Sequence, residues 1–207
     1  MIVTNIEAVT SAKYKVYLDG VHAFLLYKKE LSRYHIAVGE AVTREACEKI
    51  RTEIVLKRAK LRALHLLNDM GRTKFQLCQK LERDGYPEDI VEEAVSYVES
   101  FGYINDENYA RIFVESRKSK KSRKEICAGL LQRGIDKELA EQVFAEYYGE
   151  EDACAAITGI LKKKHFDPEK ADRKETQKMF GYLARKGFKC EDIFRATEML
   201  DIYDKTV

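Results

Sequence analysis

The sequence predicts a mainly α-helical protein: three tandem three-helix repeats in an elongated, curved array, preceded by a small N-terminal antiparallel β-sheet. Three observations predict it. A helix motif that ends on glycine recurs three times, at spacings of roughly fifty residues. Period-two apolar patterning is confined to about the first 40 residues. Only two prolines and eleven glycines occur among 207 residues, of which 35% are charged, a balance that suits helices with solvated faces better than a sandwich or barrel.

The N-terminal runs IVTNIEAV, YKVYLD and VHAFLLYK are short and rich in β-branched and aromatic residues. Tyr14, Val16 and Leu18 fall on one side of a strand, with Lys15 and Tyr17 on the other. Asp19-Gly20 between two such runs is a two-residue hairpin signal, because glycine readily adopts positive φ. A minimal sheet is marginal alone and packs on the helix that follows. From Thr43 the period turns helical, with Thr43 as N-cap and Ile50 and Ile54 on one face, running toward Leu61. The expected divisions are a β-rich segment at 1–42, a linking helix with the first repeat at 43–103, a basic second repeat at 104–149 and a third repeat at 150–207.

The repeat is clearest in TKFQLCQKLERDGY, residues 73–86, and SRKEICAGLLQRGI, residues 122–135. Each starts with a hydroxyl residue followed three later by Gln76 or Glu125, the pattern of a capping box. Leu77, Cys78 and Leu81, or Ile126, Cys127 and Leu130, then share one face. Gly85 and Gly134 suit the left-handed residue that ends a helix. The next helices open at once, with stripes Ile90, Ala94, Val98 and Leu139, Val143, Tyr147. A looser third copy holds Met179, Phe180, Leu183 and Gly187 at the same offsets, capped earlier by Asp172 with Glu175. Each copy has a helix upstream, at 56–68, 106–117 and 152–164. Three such units in series bury their faces within each unit and against neighbours.

Catalysis finds little support. P-loop, GxGxxG, HExxH and GxSxG patterns are missing, and His22, His35, His65 and His165 are scattered. The five cysteines form no CxxC pair, so no disulfide framework, zinc site or other cofactor site is expected. Neither a leader-like N-terminus nor an apolar run of membrane-spanning length is visible, and a cytoplasmic protein is expected.

Charge placement is more informative than the formal net charge of +2. Arg111, Arg117, Lys118, Lys120, Lys121, Arg123 and Lys124 stand in one short window against Glu115 alone. Together with Arg133 and the cluster Lys162, Lys163 and Lys164, they are the candidate binding cations. Cations around a helix end and the next helix start attract phosphate backbones or an acidic protein groove. The competing reading is a solvated connection whose charge maintains solubility. Tyr109 and Phe113, four apart among apolar residues, read as core and not as a stacking platform, so sequence-specific DNA reading is not supported. The residues alone leave open a general DNA-binding helical repeat protein and a helical protein–protein adaptor.

At this point the middle of the chain resembles the RecX family, bacterial regulators of the RecA recombinase. The resemblance rests on Gly102, Tyr103, Ile104, Asn105 and Asp106; on Tyr109 and Ala110; on the basic run at 117–124; and on Ile126, Leu130, Gly134 and Ile135. LERDGYPEDIVEEAVSYVESFGYIND and YLARKGFKCEDI are also similar to the family, which covers roughly residues 55–200. The family pattern carries a glycine near Ser122, whose own hydroxyl still suits a cap, and a glutamate where Gly129 stands, which bears on any contact a carboxylate would make there. The resemblance implies a monomeric, non-enzymatic protein without cofactor. It implies binding to the groove of the RecA filament on single- or double-stranded DNA, without sequence preference, and modulation, mostly restraint, of strand exchange, ATP hydrolysis and coprotease action, with a supportive effect on recombination in some bacteria.

Overall fold

The computed structural model describes residues 1–168 and 170–204. Strands β1 (Val3–Ala8), β2 (Lys13–Leu18) and β3 (Val21–Tyr27) pair antiparallel in chain order. Val16 lies opposite Ile6 on one side and Phe24 on the other. Asp19 and Gly20 both have positive φ, 48° and 85°, the twist a two-residue hairpin demands. The Asp19 carboxylate also accepts the Ile2 amide at 2.8 Å, pinning the first strand.

A short helix, α1 (Lys28–Arg33), follows β3 and was not foreseen. Its only strong local signal is Glu30, which accepts the Tyr27 amide at 2.7 Å. The same carboxylate is held by Arg58, far along the chain, so tertiary pairing stabilises what propensity does not. Thr43 caps α2 (Arg44–Ile50) by accepting the Ala46 amide. Residues 44–69 then form one helical stretch, in which a π-helical turn (Arg51–Leu56) joins α2 to α3 (Lys57–Asp69). The wider turn brings residues five apart onto one face, and Ile50 and Val55 are both fully buried.

The three repeats follow as α3 with α4 (Lys74–Arg83) and α5 (Glu88–Ser100); α6 (Asp106–Glu115), α7 (Arg123–Leu131) and α8 (Lys137–Tyr147); and α9 (Glu150–Lys163), α10 (Arg173–Arg185) and α11 (Cys190–Asp204). The chain separates into two compact units, Met1–Asn105 and Asp106–Val207. In the first, the sheet and the first repeat share one core. Val16, Phe24 and Leu26 join Ile50, Ala59, Leu77, Leu81 and the predicted stripe Ile90, Ala94, Val98. Burying a leucine such as Leu77 contributes about 1.5–3 kcal/mol. Leu25 is buried too, because Gly85 packs on it: a Cβ there would lie 3.2 Å from Leu25 Cδ1, and φ is +96°. That position therefore needs glycine for its backbone as much as for space.

The second unit holds two cores. One gathers Ala110, Phe113, Val114, Ile126, Leu130, Val143 and Phe144; the other gathers Ile157, Leu161, Leu183, Phe188, Ile193 and Ala196. Within this unit the two repeats are joined at helix termini. Ser122 caps α7 by accepting the Glu125 amide and donates its hydroxyl proton to the Lys186 carbonyl at the end of α10. The Glu125 carboxylate accepts from Lys186 Nζ at 2.9 Å. Gly187 lies against Lys124, where a Cβ would come within 2.5 Å of the lysine Cβ.

Candidate nucleic-acid interface

The basic run maps to the end of α6, a tight turn and the start of α7. Helix α6 stops where the Ser116 hydroxyl donates to the Phe113 carbonyl. The Arg117 carbonyl then accepts amides from both Lys120 and Lys121, at 2.9 and 3.0 Å. This closes the turn and leaves its side chains outside.

Three of the candidate cations are already neutralised. Arg111 sits 3.7 Å from Glu115 and bonds Asn108. Lys118 reaches Asp152 at 3.4 Å and the Tyr147 carbonyl at 3.2 Å. Arg123 pairs with Glu141 and covers the Phe144 ring. Arg117 and Arg133 are brought together by Phe113, their guanidinium carbons 3.7 and 4.7 Å from its ring centroid. Gly129 makes that possible, since a Cβ there would lie 2.9 Å from Phe113 Cζ. Phe113 is buried and Tyr109 half-buried in the same core, consistent with their structural reading.

Lys120, Lys121 and Lys124 are exposed and have no carboxylate within ion-pair distance among the described residues. Lys162, Lys163 and Lys164 are also exposed, but they end α9, about ten residues or 15 Å along the helix from Asp152. They form a separate patch, with Lys164 over the Tyr182 ring at 4.5 Å. Lys189, a cation outside the groups singled out above, lines a cleft of roughly 500 Å³ with Arg123 and Lys124. The cleft floor includes Leu131, Ala153 and Phe188. Burial pushes the neighbouring Tyr148 phenol up to about 12, so it stays protonated. The hydrogen bond to Glu125 raises the Lys186 pKa, so this ammonium stays charged.

What the turn offers chemically is a set of mobile, strongly hydrated ammonium groups beside a helix start, which suits phosphate without reading sequence. His65, the histidine set among leucines, is exposed and 3.6 Å from Asp69, the i,i+4 partner of a surface helix. The described residues contain no cluster of three or more His, Cys, Asp or Glu arranged to hold a metal ion. None of the described helices is long and apolar enough to cross a membrane.

Family models match all three repeats: RecX, first three-helix domain, at 59–97; the second at 105–143; the third at 150–197. The regulatory protein RecX of Caldanaerobacter subterraneus subsp. tengcongensis is 36% identical over 201 residues, 96% of this chain and 100% of its own length. The chain belongs to the RecX family. The RecX of Leuconostoc citreum is 28% identical, over 93% of this chain and 73% of its own length. Among solved structures, a regulatory protein RecX superposes with a TM-score of 0.64 at 23% identity, covering 97% of this chain and 98% of that one. RecX from Lactobacillus salivarius gives 0.59 at 25% identity, over 71% and 97% respectively. The RecX fold, mainly helical with three three-helix domains and a small N-terminal sheet, is thus the one predicted.

Proposed function

We propose that this protein is a non-enzymatic, cytoplasmic regulator that binds the RecA filament on DNA as a monomer and restrains its strand exchange, ATP hydrolysis and coprotease action. Family membership supports a regulatory role, and the observation that carries the contact is the turn of the second repeat. Lys120, Lys121 and Lys124 lack internal carboxylate partners among the described residues, while Arg111, Lys118 and Arg123 have them. Free ammonium groups gain most from meeting an anionic track, because neutralising phosphates releases counterions. The tethered cations position the turn. Arg117 and Arg133 sit over the Phe113 ring, their guanidinium carbons 3.7 and 4.7 Å from its centroid, and the patch at Lys162, Lys163 and Lys164 is a second point of contact. Inhibition then comes from occupying the filament and hindering its growth, with no covalent chemistry.

The test is RecA-driven ATP hydrolysis on single-stranded DNA with this protein titrated in. Hydrolysis falls as the protein saturates the filament; an unchanged rate at saturation overturns the reading. Equal affinity for naked DNA and for the filament would favour a general DNA-binding module, and full activity after removal of the turn cations would favour a protein adaptor.

A further inference from the structure

The third repeat combines open cations with half-buried rings, which the basic turn of the second does not. From 162 to 189 the chain has ten lysines and arginines against four aspartates and glutamates. Where α9 ends, His165 takes φ +53° and the Phe166 amide donates to the Leu161 carbonyl at 3.1 Å, which turns the chain toward α10. Helix α10 meets that turn with Glu175, Lys178, Met179 and Tyr182, one helical face at i, i+3, i+4 and i+7. Between them lies a cleft of roughly 680 Å³, with Lys164 and Phe166 on the opposite wall, a volume in the range of small-ligand sites.

The lining selects the occupant. Phe166, Met179 and Tyr182 are half-buried, packed against the third core on one side and bordering the cleft on the other. Lys164 and Lys178 are exposed, with no carboxylate within ion-pair distance among the described residues, and so is Lys174, one turn before Lys178. The carboxylates of the lining are engaged: Asp167 by Lys170 at 2.7 Å, and Glu175 by the Asp172 amide at 3.3 Å. Open charge at the cleft is therefore positive. The Lys164 ammonium lies 4.5 Å over the Tyr182 ring, where a second flat group would stack. An exposed ammonium is held there by only about 0.5–1 kcal/mol, and its flexible stem lets it move from the ring to a phosphate beside it.

We infer that this cleft takes one nucleotide of a single DNA strand, its base against Tyr182 in place of the Lys164 ammonium and its flanking phosphates on Lys164, Lys174 and Lys178. Cations that follow the backbone beside a ring that accepts a base are the two parts of single-strand recognition, and the mode is sequence-tolerant because every base has a π-face. A paired base has both faces covered by its neighbours, so the cleft discriminates against duplex. An acidic peptide would use the ammonium groups and leave the ring wall unused. The inference deepens the proposed function and rests on its claim that the chain engages DNA, giving the patch at the end of α9 a base contact as well as a charge contact.

The experiment uses the full chain and two fluorescent probes of equal length: a single-stranded oligothymidine, and an abasic strand that keeps the phosphates and lacks the bases. The parent protein should bind the thymidine strand about tenfold more tightly than the abasic one. Tyr182→Leu, which keeps apolar bulk and removes the ring, should abolish that preference and leave abasic affinity within about twofold, whereas Tyr182→Phe should retain it. Lys178→Gln should weaken both probes and reduce the slope of log K against log salt by about 0.7. An unchanged urea midpoint and circular dichroism signal confirm that the variants fold. Equal affinity of the parent for the two probes, or a preference that survives Tyr182→Leu, overturns this inference alone and leaves the phosphate contacts of the turn standing. Displacement of the thymidine strand by oligoglutamate or by dTTP at equal concentration overturns it in favour of an acidic peptide or a free nucleotide. If the parent binds neither probe, the DNA contact of the functional reading falls and this inference falls with it.

Discussion

The two units treat their cations differently. In the first, several basic side chains are closed into the fold: Arg51 on Asp89 and Glu93, Arg58 on Glu30, Arg62 on Asp84 at 2.7 Å and Lys74 on Glu99; exposed cations without a carboxylate partner among the described residues, such as Arg44, Lys49 and Lys57, are spread along the chain. In the second, the turn between α6 and α7 projects Lys120, Lys121 and Lys124 with no such closure among the described residues. Total charge does not distinguish the units. What differs is how the unsatisfied charges are gathered: the turn holds three of them within residues 120–124, and only unsatisfied charges gain much from a partner.

The largest test of that contrast is the triple reversal Lys120→Glu, Lys121→Glu, Lys124→Glu. DNA and filament affinity at moderate salt should drop by about 100-fold, and the slope of log K against log salt should shrink by about two to three. Fluorescence anisotropy across a salt series reads both, and an unchanged slope would remove the turn from the interface. The converse change lies in the first unit. Arg58→Ala strands Glu30, both partners being mostly buried, and should cost about 1–2 kcal/mol in urea unfolding with DNA affinity unaltered. An intermediate case is Lys118→Ala, whose ammonium is already spoken for by Asp152. It should change DNA affinity by less than about threefold, and a loss as large as one reversed free lysine would erase the distinction.

The smallest effect concerns pH. His22 Nε2 is enclosed without a hydrogen-bond partner among the described residues, and burial followed by the nearby Lys15 lowers its pKa from 6.5. The unfolded chain therefore takes up the proton first as pH falls. Stability of the first unit should decline as pH drops below about 7 through the ordinary histidine range, and level off once the folded imidazole is protonated. His22→Gln should flatten that part of a urea-midpoint profile; an identical profile would assign the decline elsewhere.

Much of the fold was legible because its signals are local. Thr43, Thr73, Ser122 and Asp172 each accept the amide three residues on, as hydroxyl and carboxylate caps do. Asp19-Gly20 forms the hairpin, and the apolar stripes of α4, α5, α7 and α8 are buried largely as their spacing predicts. What was not legible depends on distant partners. Helix α1 leans on Arg58, and the continuous helix at 44–69 depends on a widened turn fitted to the sheet. Ser122 and Glu125 have the spacing of a reciprocal box, as do Thr73 and Gln76. Gln76 does reach back to its own cap amide at 3.3 Å, but Glu125 reaches Lys186 instead. Likewise the sequence gathers the basic run but cannot sort it. Arg123 finds Glu141 and Lys118 finds Asp152 only after helices pack.

The bond from Ser122 to the Lys186 carbonyl spans 64 residues. On a ribosome adding ~5–20 residues per second, the helix that begins at Ser122 waits roughly 3–13 s for that partner to be synthesised. During the wait the Ser122 hydroxyl and the Glu125 carboxylate face water, and Lys124 has no Gly187 beside it. The contacts that tie the start of α7 to the end of α10 therefore form last, so a translational pause before Lys186 leaves that joint open for longer.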